Sequence, residues 1–136
     1  PAIVAPGCLD MVRFGARETV TAQHADRIFY QHNPQVTLMR TTPEECADLG
    51  RILAEKVNLS TAPVTVLLPR KAISVISAPG QKFHDPIADR ILFTALKTYL
   101  RKDIELVELD CNINAPEFAK ACAEKLLANI AKRKAA

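Results

Sequence analysis

Apolar residues recur at helical spacing in three stretches of the chain. Cys46, Leu49, Leu53 and Val57 form one stripe; Ala88, Ile91, Leu92, Ala95, Leu96 and Tyr99 a second; Phe118, Cys122, Leu126 and Ile130 a third. Each stretch has a start signal. Thr42-Pro43-Glu44-Glu45 supplies a capping hydroxyl, a proline in the first turn and a glutamate at the capping-box position. Asp85-Pro86 repeats the cap and proline, and Asn114 with Glu117 marks the third helix. Strands are predicted where β-formers cluster: residues 2–5, closed by Pro6-Gly7; residues 27–30, ended by Asn33-Pro34; residues 64–68, ended by Pro69; and residues 104–109. The run Val64-Thr65-Val66-Leu67-Leu68 is nearly all apolar, which suits a strand covered on both faces. The partial alternation of 104–109 suits an edge strand. Residues 9–21 read as a loop with a short helix, and Val36–Thr41 as a bridge into the first helix. Residues 70–84 form a long connection with a turn at Ala78-Pro79-Gly80.

From Thr42 onward helix and strand alternate, which indicates crossover connections and an α/β fold. The expectation is a mainly parallel open sheet of about four short strands with helices packed on it, a Rossmann-like half of a larger domain. Residues 1–133 form its body, and 134–136 a basic tail, frayed beyond Lys132. The chain opens on Pro1 and runs straight into an apolar strand, as if entered from something upstream.

Composition narrows the function classes only slightly. With 49% hydrophobic and 24% charged residues, the chain has the balance of an ordinary globular protein. A net charge of +3 with no Trp, two Tyr and five Phe offers few stacking platforms, so nucleic acid is not the expected partner. No apolar run of spanning length suggests a membrane. Cys8, Cys46, Cys111 and Cys122 form no CxxC pair and have no His at zinc-ligand spacing. They read as buried free thiols in a reducing compartment, and a cytoplasmic location is expected.

In an open α/β sheet, ligands bind beyond the carboxyl ends of the strands. The candidate ligand-binding residues there are Asp10, His32, Asn33, Gln35, Arg40, Thr41, Thr42 and His84. Arg40 with two hydroxyls at a helix N-terminus suits a phosphate or carboxylate; the alternative is that Thr42 only caps and Arg40 only pairs with an acid. His84-Asp85 has the types of a general base and its orienting acid, though Asp85 also has a capping role. No catalytic residue and no metal site is assigned. Arg70-Lys71 reads either as an anion contact or as a solvated pair.

Several runs resemble a known family. Leu9-Asp10-Met11-Val12, Phe14-Gly15-Ala16, the eleven residues from His32 to Thr42, Ala78-Pro79-Gly80-Gln81, Phe83-His84-Asp85-Pro86, Ala88-Asp89 and Ile113-Asn114 are similar to the carboxy-terminal domain of the Tm-one-like family, typified by the tomato mosaic virus resistance protein. The resemblance covers nearly the whole chain. It implies a longer, two-domain protein whose amino-terminal domain lies upstream and carries the ATP association. ATP is therefore not expected within this piece alone. The partners implied are that missing domain and further copies of the chain, with a small anionic ligand shared between the domains. The plant member inhibits viral RNA replication by binding the viral replication protein. The sequence departs from the family pattern in four places. Arg70-Lys71-Ala72 stands where an acid and two glycines are usual. Ser77 replaces an aspartate, and Asn112 and Ala115 replace a histidine and an aspartate. Two readings stay open: a ligand-binding or enzymatic domain completed by the missing part, and a non-catalytic interaction or oligomerisation module.

Overall fold

The structure is a computed structural model that describes residues 1–135. In chain order it contains β1 (Ala2–Val4), β2 (Met11–Phe14), β3 (Phe29–Asn33), β4 (Val36–Arg40), α1 (Pro43–Asn58), β5 (Val64–Pro69), α2 (Pro86–Tyr99), β6 (Glu105–Leu109) and α3 (Pro116–Ala135). Two single-turn 3-10 helices, Arg17–Thr19 and Ala22–His24, lie between β2 and β3. The fold is α/β. Its strands form two three-stranded sheets, a parallel one in the order β1-β5-β6 and an antiparallel one in the order β2-β4-β3.

The parallel sheet follows from its middle strand. Every residue of β5 is buried. Val64, Val66 and Leu68 pack with Cys46, Ala54 and Val57 of α1 and with Leu92 and Leu96 of α2. Leu67 points the other way, toward Phe118 and Cys122 of α3. A strand covered on both faces has no need of alternation, which is why its sequence is a continuous apolar run. The edge position expected for the last strand is observed in β6. The Thr42 hydroxyl accepts the Glu45 N–H while the Glu45 carboxylate accepts the Thr42 N–H, closing the predicted capping box. Asp85 caps α2, accepting from Ile87 and Ala88 N–H. α1 and α2 approach so closely at Gly50 that a Cβ there would lie 2.4 Å from the Leu92 carbonyl oxygen.

The second sheet corrects the expectation of one mainly parallel sheet of about four strands. The supposed bridge Val36–Thr41 contains the central antiparallel strand β4, and the supposed loop after Leu9 contains β2. Asn33-Pro34 ends β3 as expected. It begins a hairpin turn in which the Asn33 side chain accepts the Gln35 N–H at 2.9 Å. Burial along β4 alternates, with Thr37 and Met39 buried, until Arg40 is buried as well at its end; the polar Thr37 on the buried side hides this period in the sequence. α3 also departs from expectation. It begins at Pro116, with the Phe118 and Ala119 N–H groups donating to the Ala115 carbonyl, and it continues through Lys132-Arg133-Lys134. Three cations at a helix C-terminus are favoured by its dipole.

Candidate functional site

The loops after β1, β5 and β6 are knitted together at the carboxyl edge of the parallel sheet. Cys8 N–H donates to the Ile73 carbonyl, Lys71 N–H to Cys111 and Ile113 N–H to Ala72. The long connection after β5 is ordered. Phe83 anchors it in the core, and Gln81 N–H closes a turn onto the Ala78 carbonyl with Gly80 at φ 81°. Proline followed by a left-handed glycine is the signature of a type II turn. The Ser77 hydroxyl accepts the Ile73 and Ser74 N–H groups and so stitches the loop.

Arg40 is the centre of this edge. It is buried, and all five of its N–H groups have acceptors. Nε donates to the Phe83 carbonyl at 3.0 Å; Nη1 to the Asp10 carbonyl at 3.3 Å and the Thr41 hydroxyl at 3.1 Å; Nη2 to the Asp85 carbonyl at 3.3 Å and the Asp89 carboxylate at 2.7 Å. The Thr41 hydroxyl donates to the Leu9 carbonyl, and Thr42 is engaged in the cap. These three residues hold the strand ends, the long connection and two helices together, with no donor of Arg40 left for an anion.

Asp10 is fully buried beneath the same loops. Its Oδ2 accepts the Ser74 hydroxyl at 2.6 Å, while Oδ1 has no partner among the described residues. Burial holds the Asp10 carboxyl above the usual carboxylate range, against the opposing pull of the Ser74 bond and the Arg40 charge. Burial likewise raises Asp89, with Arg40 opposing it. Cys8, exposed and left-handed at φ 59°, is raised by partial desolvation and then by the Asp10 charge. A raised thiol is a weak nucleophile at neutral pH.

The predicted residues fall into separate groups. His32, Asn33 and Gln35 lie at the exposed tip of the β3–β4 hairpin, where His32 and Asn33 line a shallow groove with Arg13, Val36 and Leu38. The tip is four strand residues from Arg40, about 13 Å along β4. His84 stands apart on the long connection, its Nδ1 3.1 Å from the Ser77 carbonyl oxygen. Asp85 turns its carboxylate to the α2 cap, so the pair is not arranged as base and orienting acid.

Sequence reading missed a groove of about 350 Å³ between α2 and the ends of β5 and β6. Arg70, Lys71, Arg90 and Lys97 line it. Lys71 lies 3.6 Å from Asp110 and Lys97 3.0 Å from Glu108. Arg70 and Arg90 have no carboxylate within ion-pair distance among the described residues. Asp89, at the groove wall, is already held by Arg40. The signal was present as helical spacing: Arg90, Thr94 and Lys97 share one polar face of α2.

Comparison with known proteins supplies a family. The sequence model described as Uncharacterised protein family (UPF0261) C-terminal domain matches residues 1–130. A UPF0261 protein of Rhizobium meliloti (strain 1021) is 47% identical over 123 residues, covering 89% of this chain and 31% of the relative. A UPF0261 protein of Clostridium tetani (strain Massachusetts / E88) is 44% identical over 128 residues, covering 93% of this chain and 32% of the relative. The ToMV resistance protein Tm-1(GCR237) of Solanum lycopersicum is 37% identical over 129 residues, with 93% of this chain and 17% of that protein covered. The chain thus spans about a third of the length of its bacterial relatives.

Proposed function

The chain belongs to the UPF0261 C-terminal domain family, and from that premise we propose that it is the ligand-binding α/β part of a longer protein, taking a small anionic or nucleotide-like molecule. The observation that carries this reading is the groove at the carboxyl edge of the sheet, with Arg70 and Arg90 unpaired beside Lys71 and Lys97. Anionic ligands favour guanidinium groups, whose fork matches phosphate and carboxylate oxygens. The parallel layer with helices on both faces is read as half of a Rossmann-like domain, and its open edges favour completion by the preceding part of the protein. Within it, Asp10, Arg40, Thr41 and Thr42 set the loops that shape the edge. ATP is the nucleotide to try first, in the full-length protein rather than in this piece. The unpaired, buried Cys46 and Cys111 favour a cytoplasmic setting.

The test is a thermal-shift titration of the full-length protein with ATP, pyrophosphate, phosphate and an uncharged nucleoside. The anions are expected to raise Tm, less so as salt is added, and the nucleoside is not. No shift with any anion at low salt would sink the reading. A second reading, a non-catalytic interaction module as suggested by the tomato relative's printed name, is favoured by the exposed apolar side chains along α3. It predicts self-association that tracks protein concentration in light scattering, with no anion response.

A further inference from the structure

Two helices cover one face of the parallel sheet and α3 alone covers the other. The orientation of α3 follows from two contacts. Lys125 pairs with Glu105 on β6, and Asn129 donates to the Ala2 carbonyl of β1 at 3.2 Å and the Thr65 hydroxyl of β5 at 3.0 Å. Going from Lys125 to Asn129 turns the helix by about 40°, from the β6 side toward β1. Leu126 and Ile130 lie further round in the same sense, at about 100° and 140°, and Leu127 at about 200°. These three are exposed, Leu127 at 67%. Leu126 and Ile130 form an apolar flank on the β1 side of the helix, and Leu127 faces directly away from the sheet.

Among the described residues β1 pairs with β5 only. Its Ala2 N–H donates to the Pro63 carbonyl, toward β5, so strand alternation turns the Ile3 N–H to the outer edge. An open strand edge beside an apolar helix flank is a surface that proteins normally cover. A strand alone would satisfy the edge and a helix alone the flank; a strand followed or preceded by a helix satisfies both.

We propose that the free edge of β1 together with Leu126 and Ile130 of α3 is the docking surface for a strand-and-helix unit supplied by the part of the full-length polypeptide that precedes this chain. The occupant is assigned by length and position. The family match is to a C-terminal domain, and about two thirds of each bacterial relative lies outside the matched region. Pairing with that unit lengthens the sheet past β1 and buries the flank under the added helix. The proposal is independent of the anion groove, which lies on the β6 side.

The experiment is amide hydrogen exchange on the gene product expressed from its natural start, wild type and Leu126→Asp, with Ile87→Asp as a control at an exposed apolar site on α2. The Ile3 amide is expected to exchange slowly in the wild type, at least a hundredfold below its rate in an unstructured peptide. Leu126→Asp is expected to speed that exchange and lower Tm by several degrees, while Ile87→Asp changes neither. Rapid exchange at Ile3 in the wild type overturns the proposal, and this measurement stands even if Leu126→Asp fails to fold. Slow exchange that appears only at high protein concentration, and is lost together with a dimer in Leu126→Asp, also overturns it, by assigning the surface to a second copy.

Discussion

The guanidinium of Arg40 and the carboxylate of Asp89 meet at 2.7 Å with both side chains shielded from water. The pair joins the last residue of β4 to the first turn of α2, so it fastens the antiparallel sheet to the helical layer. Its remaining donors serve three carbonyls and a hydroxyl from four other places in the chain.

Removing the cation leaves Asp89 as an unpaired buried charge and deprives the Asp10, Phe83 and Asp85 carbonyls of their donor. Arg40→Met is expected to cost about 3–5 kcal/mol in urea unfolding. Arg40→Lys is expected to recover little, since one ammonium cannot reproduce the planar fork. Arg40→Met combined with Asp89→Leu is expected to regain part of the loss, because no charge then remains buried.

Asp10 should give a pH-dependent effect of the opposite kind. Its folded pKa is raised, so its contribution to stability is fully present below the unfolded value of 3.8 and is lost as pH rises through the folded value. Asp10→Asn removes that loss while keeping an acceptor for Ser74. Denaturation midpoints of wild type and Asp10→Asn are expected to converge near pH 4 and to diverge in favour of the variant by pH 8. A variant less stable than wild type at pH 8 would contradict this account of Asp10.

Gly50 is where α1 and α2 touch. A Cβ placed there meets the Leu92 carbonyl oxygen at 2.4 Å and the Ala95 side chain at 2.9 Å. Gly50→Ala is therefore expected to destabilise, despite the better helix propensity of alanine, by about 1–3 kcal/mol of overpacking. The thermal midpoint of the variant measures it directly.

The capping box of α1 was legible, and its energetic weight is easily checked. Thr42→Ala removes the acceptor for the Glu45 N–H at 3.2 Å and is expected to cost about 1 kcal/mol. The helices, their caps and the parallel core strand could be read because each depends on local chemistry: a hydroxyl before a proline, a stripe at helical spacing, an unbroken apolar run. The antiparallel sheet could not. β2 is four residues long with two exposed positions, and β4 runs into the Thr42 cap with no turn signal between them. The site was legible only as a region. Arg40 was singled out as an anion contact or the partner of an acid, yet its partners Phe83, Asp85 and Asp89 lie more than forty residues on, which spacing cannot reveal. Asp89 did carry a local signal, a carboxylate between Ala88 and Leu92 on an otherwise apolar stripe. Arg70 and Arg90 become neighbours only when β5 and α2 pack.

That last pairing carries the functional reading, and a calorimetric titration of pyrophosphate into the full-length protein tests it most directly. Wild type is expected to bind with an affinity that falls as salt rises. Arg70→Gln with Arg90→Gln is expected to weaken binding at least tenfold while leaving the thermal midpoint of the ligand-free protein within a degree or two, since both side chains are exposed. Equal affinity in wild type and the double variant would contradict the assignment of the groove.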